Sequence, residues 1–449
     1  MACEVRESPE LGRYYVAARP VAAGEQVLLA TPTALALSDA FLSSHCSACS
    51  VPTTEAACET CGRVRLCPAC AEQEGAWGPA ALHERECDAI RTLFDSGEFQ
   101  VEESRTVRLL IRLLVLRTIE KSAEGEEEDE EGGYQALVDS LCDNQDQMPE
   151  ALLRTFADMV RQARRLLPAE YRVGLDEGVQ LLAKVYCNAH EVLNPSGADR
   201  DMGFGIFPEA CLFNHSCEPN CTWFPADGGG LAVRTISAVE QGAALTVAYC
   251  DLHDYTALRR PALERAFFFQ CACPRCVAGQ DQPDKALCAR KKPLSKDADA
   301  DVTTEVGKAG ELLNAGDAEG ARVLLDRASA RAKATLADTH TLSLRLRRAR
   351  LRLAMIQKDW KSVLEESAAL SRGLSDAFGA ERVGSDLRYA FALFHGARAL
   401  AELGKTAEAV KQMRQALRVY ATVLGSAHWH VRAVNAEVKG LTERAAAPL

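Results

Sequence analysis

Gly203-Phe204-Gly205-Ile206-Phe207-Pro208-Glu209-Ala210-Cys211-Leu212-Phe213-Asn214-His215-Ser216-Cys217-Glu218-Pro219-Asn220-Cys221 is the stretch from which the rest of the chain is read. Its centre sets hydrogen-bonding side chains beside a cysteine: Asn214 and His215 offer groups that a polar ligand can use. Pro219 and the turn formers around it predict a fixed loop, not a helix. Taken alone, the same residues would also make an ordinary polar turn with chance cysteines, so the surroundings decide.

The chain has 449 residues, material for about two to four domains with real cores. Its 47% apolar and 26% charged residues are globular values. No apolar run reaches the roughly 18 residues of a membrane span. The start, Met-Ala-Cys-Glu-Val-Arg-Glu-Ser, lacks the basic-then-apolar order of a signal peptide. The expectation is a soluble monomer of the cytoplasm and/or nucleus, with no membrane association. A net charge of −11 argues against direct nucleic-acid binding through phosphates. It is compatible with Lys-rich protein substrates.

Eighteen cysteines in such a chain point to metal or to buried thiols, not to disulfides. Residues 46–87 carry Cys46-x2-Cys49, Cys58-x2-Cys61, Cys67-x2-Cys70 and His83-x3-Cys87, eight ligands for two tetrahedral zinc sites. So short a segment has little core, so metal binding must supply much of its folding energy. Cys271-x-Cys273-x2-Cys276 is one ligand short of a closed site. Cys3, Cys142, Cys187, Cys211, Cys221, Cys250 and Cys288 have no ligand spacing, and most are expected to be small buried hydrophobes.

Asn-His-Ser-Cys-x-Pro-Asn resembles the signature of SET-domain protein lysine methyltransferases. There one loop threads under another between a methyl-donor pocket and a lysine channel. The 46–87 segment, with Val64-Arg65 and Trp77, resembles a MYND zinc finger. A finger lying inside the SET sequence is the arrangement of the SMYD-type family. The resemblance implies an α+β fold: a SET β fold split by an inserted MYND finger and a helical insert, a post-SET zinc site, and a C-terminal α-helical, TPR-like domain. In chain order it predicts an N-terminal SET region (1–45), the finger (46–87), the helical insert (88–185) and the core SET region (186–252). A post-SET segment (253–278), a linker (279–300) and the helical domain (301–449) follow.

The same resemblance implies three structural zinc ions and S-adenosylmethionine as cofactor. Cys46, Cys49, Cys67 and Cys70 would hold one ion; Cys58, Cys61, His83 and Cys87 a second; Cys217, Cys271, Cys273 and Cys276 a third. Gly12, Arg13, Asn188, Asn214, His215 and Phe269 match donor-binding positions. Tyr249 matches the catalytic tyrosine of the lysine channel, and Phe267 falls where many relatives carry a second channel tyrosine. The chain departs from the pattern at Tyr14, where a glycine is expected, and at Ala243-Ala244, where two acids are expected. The Cys67–Cys70 gap is shorter and the Cys70–His83 stretch longer than usual, which bears on partner binding at Trp77. Phe267 predicts a looser channel, favouring more than one methyl transfer at the expense of rate.

Residues 88–185 read as helical. Val107, Leu110, Ile111, Leu114 and Val115 form one apolar face, and Arg105, Arg108, Arg112 and Arg117 occupy others. Leu152, Leu153, Phe156, Val160 and Leu166 follow Met148-Pro149 as a second amphipathic helix. The acidic run from Glu124 to Gly133 is expected as a solvated loop. Leu231 to Ile236 alternates as a strand. Near the end, Gly316-Asp317-Ala318, Asp359-Trp360 and Gly404-Lys405-Thr406 echo one another. Spacings of 42 residues (Asp317 to Asp359) and 47 (Asp359 to Thr406) predict degenerate helix-pair repeats. Such arrays present a concave face for peptides. Arg345, Arg347, Arg348, Arg350 and Arg352 are expected on a solvated helix face.

The function expected is S-adenosylmethionine-dependent protein-lysine N-methylation of histone and/or non-histone lysines, with partner peptides at the finger or the repeats. The alternative is a catalytically weak scaffold that binds partners through those same two regions, resting on Tyr14, Ala243-Ala244 and Phe267. A DNA-binding adaptor is disfavoured by the acidic balance and the lack of a basic recognition helix.

Overall fold

The computed structural model describes residues 2–97, 101–123, 138–193, 201–226, 229–278, 282–292 and 296–446. The expected acidic loop, 124–133, lies outside the described residues. At the N-terminus β1 (Cys3–Ser8) and β2 (Gly12–Ala17) form an antiparallel hairpin. Gly12, with φ +62°, takes the left-handed conformation there that other residues resist. Tyr15 points inward onto Phe213, ring centroids 4.8 Å apart, and the departing Tyr14 is half-exposed.

Two three-stranded antiparallel sheets are built from distant segments. In one, β9 (Leu231–Thr235) runs between β3 (Gln26–Ala30) and β8 (Cys221–Pro225). In the other, β6 (Asp201–Ile206) runs between β4 (Ala34–Leu37) and β5 (Ala189–Leu193). Gly203 permits the second: a Cβ there would lie 2.2 Å from the Ala36 carbonyl oxygen. β7 (Asn214–His215) pairs in parallel with β10 (Thr246–Val247).

Helix α1 (Pro68–Ala71) lies in the finger, and α2 (Pro79–Ser96) starts there, carrying His83 and Cys87. Helices α3 (Val101–Ala123), α4 (Glu150–Leu166) and α5 (Leu175–Asn188) follow. The stripe expected on α3 is incomplete. Leu109, Leu113 and Leu116 are buried as well, and so are Arg105, Arg108 and Arg112. The arginines are tethers instead of a wet face. Arg108 donates to the Leu37 carbonyl and to Asp39, both at 2.8 Å, and Arg105 donates to Ser38 Oγ at 2.8 Å. Burying these cations is tolerable because each finds an oxygen partner.

Past the sheets come α6 (Thr256–Phe267), α7 (Pro274–Val277) and α8 (Gln282–Leu287). The expected linker therefore contains helix, and α9 (Lys296–Asn314) also begins within it; its residues 279–281 and 293–295 lie outside the described residues. Helices α10 (Ala318–Thr335), α11 (Thr341–Gln357), α12 (Trp360–Val383), α13 (Leu387–Glu402), α14 (Thr406–Leu424) and α15 (Trp429–Ala446) complete the repeats. The three sequence echoes are the inter-helix turns. Gly316, Lys358 and Gly404 take positive φ, then Asp317 and Asp359 cap the next helix by accepting the backbone N–H of Gly320 and Ser362.

The helical domain is docked on the sheets. Phe224 of β8 and Ala232 of β9 share a core with Ala390, Phe394, Tyr420 and Val423. The Arg345–Arg352 cluster is not a solvated face. Arg345 pairs with Asp254 at 2.9 Å, and Arg347 and Arg350 reach the buried Glu366 at 3.0 and 2.7 Å. Their partners sit on other elements, which helical spacing does not register.

Candidate functional site

The quoted stretch is pinned by its own last asparagine. Asn220 Nδ2 donates to the Ala244 carbonyl at 2.8 Å and its Oδ1 accepts the Thr246 N–H at 2.9 Å. Ser216 N–H donates to the Val247 carbonyl at 3.0 Å. The segment 244–249 is thus laid across 214–220 by the Asn220 side chain and by backbone groups. The turn before it is held the same way: Gly242 N–H reaches the Ala17 carbonyl at 2.8 Å, and Ala17 N–H reaches the Ala243 carbonyl at 2.9 Å. The acids absent at 243 and 244 are not needed for those bonds.

Tyr249 ends this crossing. Its backbone N–H donates to His215 Nδ1 at 2.9 Å, and its hydroxyl donates to the Phe213 carbonyl at 2.6 Å. Burial raises its pKa above the usual 10.0, so the phenol stays protonated at neutral pH. Its ring lies 4.9 Å from Phe267, 5.4 Å from His215 and 6.5 Å from Phe269. Phe268, in the left-handed conformation, turns the other way towards Tyr186. The structure therefore brings Tyr249, His215, Phe267 and Phe269 together.

The other expected donor-side residues form a second group. Arg13 donates to the Ser140 carbonyl at 2.6 Å. Asn188 Nδ2 donates to the Cys142 and Lys184 carbonyls, each at 2.7 Å, so both its amide hydrogens are engaged. Asn214 Nδ2 donates to the Leu11 carbonyl at 3.0 Å, next to Gly12. Segment 139–142 thus walls the space between the first hairpin and α5.

Twelve cysteine and histidine ligands gather into three groups of four whose ligand atoms lie within 4.8 Å of one another: Cys46, Cys49, Cys67, Cys70; Cys58, Cys61, His83, Cys87; and Cys217, Cys271, Cys273, Cys276. A zinc tetrahedron with Zn–S near 2.3 Å has edges of about 3.8 Å, or about 3.6 Å from sulfur to nitrogen. Cys49–Cys67 and Cys58–Cys87 are 3.7 Å apart, Cys61–His83 Nε2 3.6 Å, Cys217–Cys276 3.5 Å and Cys217–Cys271 4.0 Å. The donor sets fit that ion. Within each finger cluster one thiol is lowered at its neighbours' expense. A hydrogen bond from Cys49 pulls Cys46 down to about 4 against burial, and Cys49 itself is pushed up. Burial raises Cys58, but the Cys61 N–H and His83 bring it down to about 6, while burial and the neighbouring thiols push Cys87 up to about 12.

Sequence reasoning missed the residues around these clusters. Glu86 stands 4.0 Å from His83 Nδ1 and is paired with Arg112 of α3. Beside the third cluster Arg259 is fully buried, donates to Cys276 Sγ at 3.7 Å, and meets Asp284 at 2.8 Å. Arg275 joins the same carboxylate at 2.9 Å and holds the Leu252 carbonyl at 3.0 Å. Such cations would offset the negative charge of four thiolates on a bound dication. Of the seven cysteines without ligand spacing, Cys3 and Cys221 alone are buried; Cys142 and Cys288 are exposed.

The family model for the SET domain matches residues 12–250, which takes in the second hairpin strand, the crossing and Tyr249, and which the finger interrupts. The chain belongs to the SET and MYND domain family. Within this SET–MYND chain a tetratricopeptide repeat model matches residues 395–430, over the last helix pairs. Histone-lysine N-methyltransferase ASHR1 of Arabidopsis thaliana is 27% identical over 274 residues, 61% of this chain and 54% of the relative. Mouse histone-lysine N-methyltransferase SMYD3 is 26% identical over 272 residues, 60% of each. A SET and MYND domain-containing protein of Dictyostelium discoideum is 29% identical over 119 residues, 25% of this chain and 30% of its own length. The SET–MYND chain thus spans little more than half the length of the first two relatives.

A cavity of about 460 Å³ opens where the SET side meets the repeats, with Asp251 and His253 on one wall and Arg345, Arg348, Arg352 and Arg388 on the other. No helix among the described residues is long and apolar enough to cross a membrane.

Proposed function

We propose that this chain is an S-adenosylmethionine-dependent protein-lysine N-methyltransferase whose three cysteine-rich clusters hold structural zinc. The observation that carries the reading is the seat of Tyr249. Its phenol is protonated, its one hydrogen is given to the Phe213 carbonyl, and its half-buried ring is walled by Phe267, Phe269 and His215. S-adenosylmethionine, when bound, supplies an electrophilic methyl for in-line displacement.

A lysine amine must arrive neutral, although its free pKa is near 10.4. The apolar rings of Phe267 and Phe269 make the ammonium costly and lower that value. With its hydrogen committed to Phe213, the Tyr249 oxygen keeps lone pairs to accept from the amine and from polarised methyl hydrogens. Holding the reacting groups in line accounts for much of the acceleration. Gly12, Arg13, Asn188, Asn214, His215 and Phe269 line the donor side in this reading, and Phe267 widens the channel enough for repeated transfer.

Histone and other lysines of the cytoplasm and/or nucleus are the proposed substrates. The test is radiolabelled methyl transfer to histones and to whole-cell lysate, run beside Tyr249→Phe. The variant is expected to lose about 10²- to 10³-fold in rate; equal signal would remove Tyr249 from the role. The full engagement of the Asn188 amide hydrogens favours a second reading, a catalytically weak scaffold. Calorimetry decides it, because absence of S-adenosylmethionine binding would support the scaffold.

A further inference from the structure

Cys250 follows Tyr249, and its thiol, the Cys217 sulfur and a ring nitrogen of His215 all lie within 4.8 Å of one another. Cys217 therefore lies beside the three other thiols of its own cluster and also beside a fifth thiol, Cys250. A second metal ion held by this trio is ruled out by the imidazole. His215 Nδ1 accepts the Tyr249 N–H, so the ring proton sits on Nε2, which has no lone pair left for a metal. The 3.2 Å from Nε2 to Cys217 Sγ is also shorter than the roughly 3.6 Å expected of two ligands on one zinc ion, and it suits an N–H···S bond. Nor is Cys250 an inert core thiol: it is only half-buried, whereas Cys217 is 2% exposed.

We propose that Cys217 and Cys250 form an oxidisable dithiol, converted by hydrogen peroxide to a disulfide that expels the ion of the third cluster. The half-buried Cys250, as its thiolate, attacks one peroxide oxygen. The O–O bond breaks, leaving a sulfenic acid on Cys250 and releasing hydroxide. The Cys217 sulfur then attacks the Cys250 sulfur, the S–O bond breaks, and a second hydroxide leaves as the S–S bond forms. The two sulfurs lose two electrons and the peroxide gains them. Both hydroxides become water with protons from the thiols or, where Cys217 begins as a metal-bound thiolate, from solvent. The sulfurs must close to about 2.05 Å, a side-chain movement within reach of their present separation. Three thiols then remain, one short of a closed structural site. The His215 Nε2–H loses its thiolate acceptor, and with it the support of the Tyr249 backbone.

The inference rests on the proposed zinc at the third cluster but not on methyl transfer. The full-length protein, its zinc content first measured by mass spectrometry, is titrated with hydrogen peroxide while a chromophoric chelator reads released zinc. A non-reducing digest is then searched for a Cys217–Cys250 peptide pair two hydrogens lighter than its separate peptides. The wild-type protein is expected to form that pair while releasing one equivalent of zinc, reversibly with dithiothreitol and added zinc. Cys250→Ser, with unchanged starting zinc, is expected to need about tenfold more peroxide for the same release. Cys250→Ala serves where the serine variant folds poorly. Release at the same peroxide dose in either variant, or a disulfide confined to Cys271, Cys273 and Cys276, overturns the proposal. If starting zinc falls short of three equivalents, the zinc reading fails, and the digest still decides whether the dithiol exists.

Discussion

In the finger, all eight ligands come from the 42 residues between Cys46 and Cys87, whereas the third cluster joins Cys217 to thiols 54 and 59 residues further along. The finger's ligands converge through short local turns, and Arg112 of α3 ties it down by pairing with Glu86 and reaching the Ser47 carbonyl, with Leu82 in the core around that helix. The third cluster is embedded: Arg259, Arg275 and Asp284 connect its thiols to α6, α8 and the Leu252 carbonyl. In the first, a bound metal would stand in place of a core. In the other it would act as a clasp on a fold that already has a core, with Tyr249 packed against the cluster. The same chemistry therefore carries different consequences in the two places.

The sharpest way to break this contrast is to remove one ligand from each. Cys276→Ser and Cys61→Ser are each expected to lose one zinc ion by mass spectrometry. Only Cys276→Ser is expected to depress methyl transfer by about 10²-fold or more, because it releases the loop that seats Tyr249. Equal losses of activity would mean the two clusters do not differ in kind.

A smaller effect is expected when the protein support of the clasp is cut. Asp284→Asn leaves Arg259 and Arg275 buried without their carboxylate, at a cost of about 3 to 5 kcal/mol in denaturant unfolding. A loss below about 1 kcal/mol would show that the metal alone closes this region.

The contact between the SET side and the repeats gives the smallest effect, and it depends on pH. His253 Nε2 meets Asp386 at 2.6 Å and Nδ1 meets Asp251 at 3.2 Å. Burial opposes protonation of His253, but Asp386 and Asp251 outweigh it and raise its pKa above the ordinary 6.5. A raised value stabilises fully below the unfolded pKa and loses that contribution as pH rises through the folded one. Relative to His253→Gln, the wild-type advantage is expected to be about 1.5 to 3 kcal/mol at pH 6 and to shrink by pH 9. An advantage that grows with pH would exclude the imidazolium clasp.

The regions that could be read without coordinates are those whose chemistry is local. Cys-x2-Cys spacing exposes the finger because ligand geometry is set within one turn, and Asp317 and Asp359 expose the repeats because capping is set within one helix end. Arg108, Arg112, Arg259, Asp284 and Arg345 were illegible or misread for the opposite reason. Each gains its meaning from a partner on another element, such as Asp39, Glu86 or Asp254, and charge on a helical period looks the same whether it faces water or a buried carboxylate. Cys250 escaped notice likewise, because its neighbour Cys217 is brought beside it by the crossing and not by spacing. Asn214, His215 and Tyr249 stood out through a motif; that Asn220 is the pin holding the crossing together could be seen only once the two strands were side by side.

The pairing of β3 with β9 has a consequence for how the molecule is made. Ala30 is joined to Leu231, so the first sheet has no middle strand until some 200 residues later. At ribosomal rates of about 5 to 20 residues per second, the interval is roughly 10 to 40 s. Through that time the nascent chain carries an unpaired apolar edge and a finger that can already load its metal. Vectorial synthesis thus delivers a cysteine-rich module, able to take up metal, tethered to an unfinished SET lobe, and the lobe closes only as the Cys271–Cys276 segment leaves the exit tunnel.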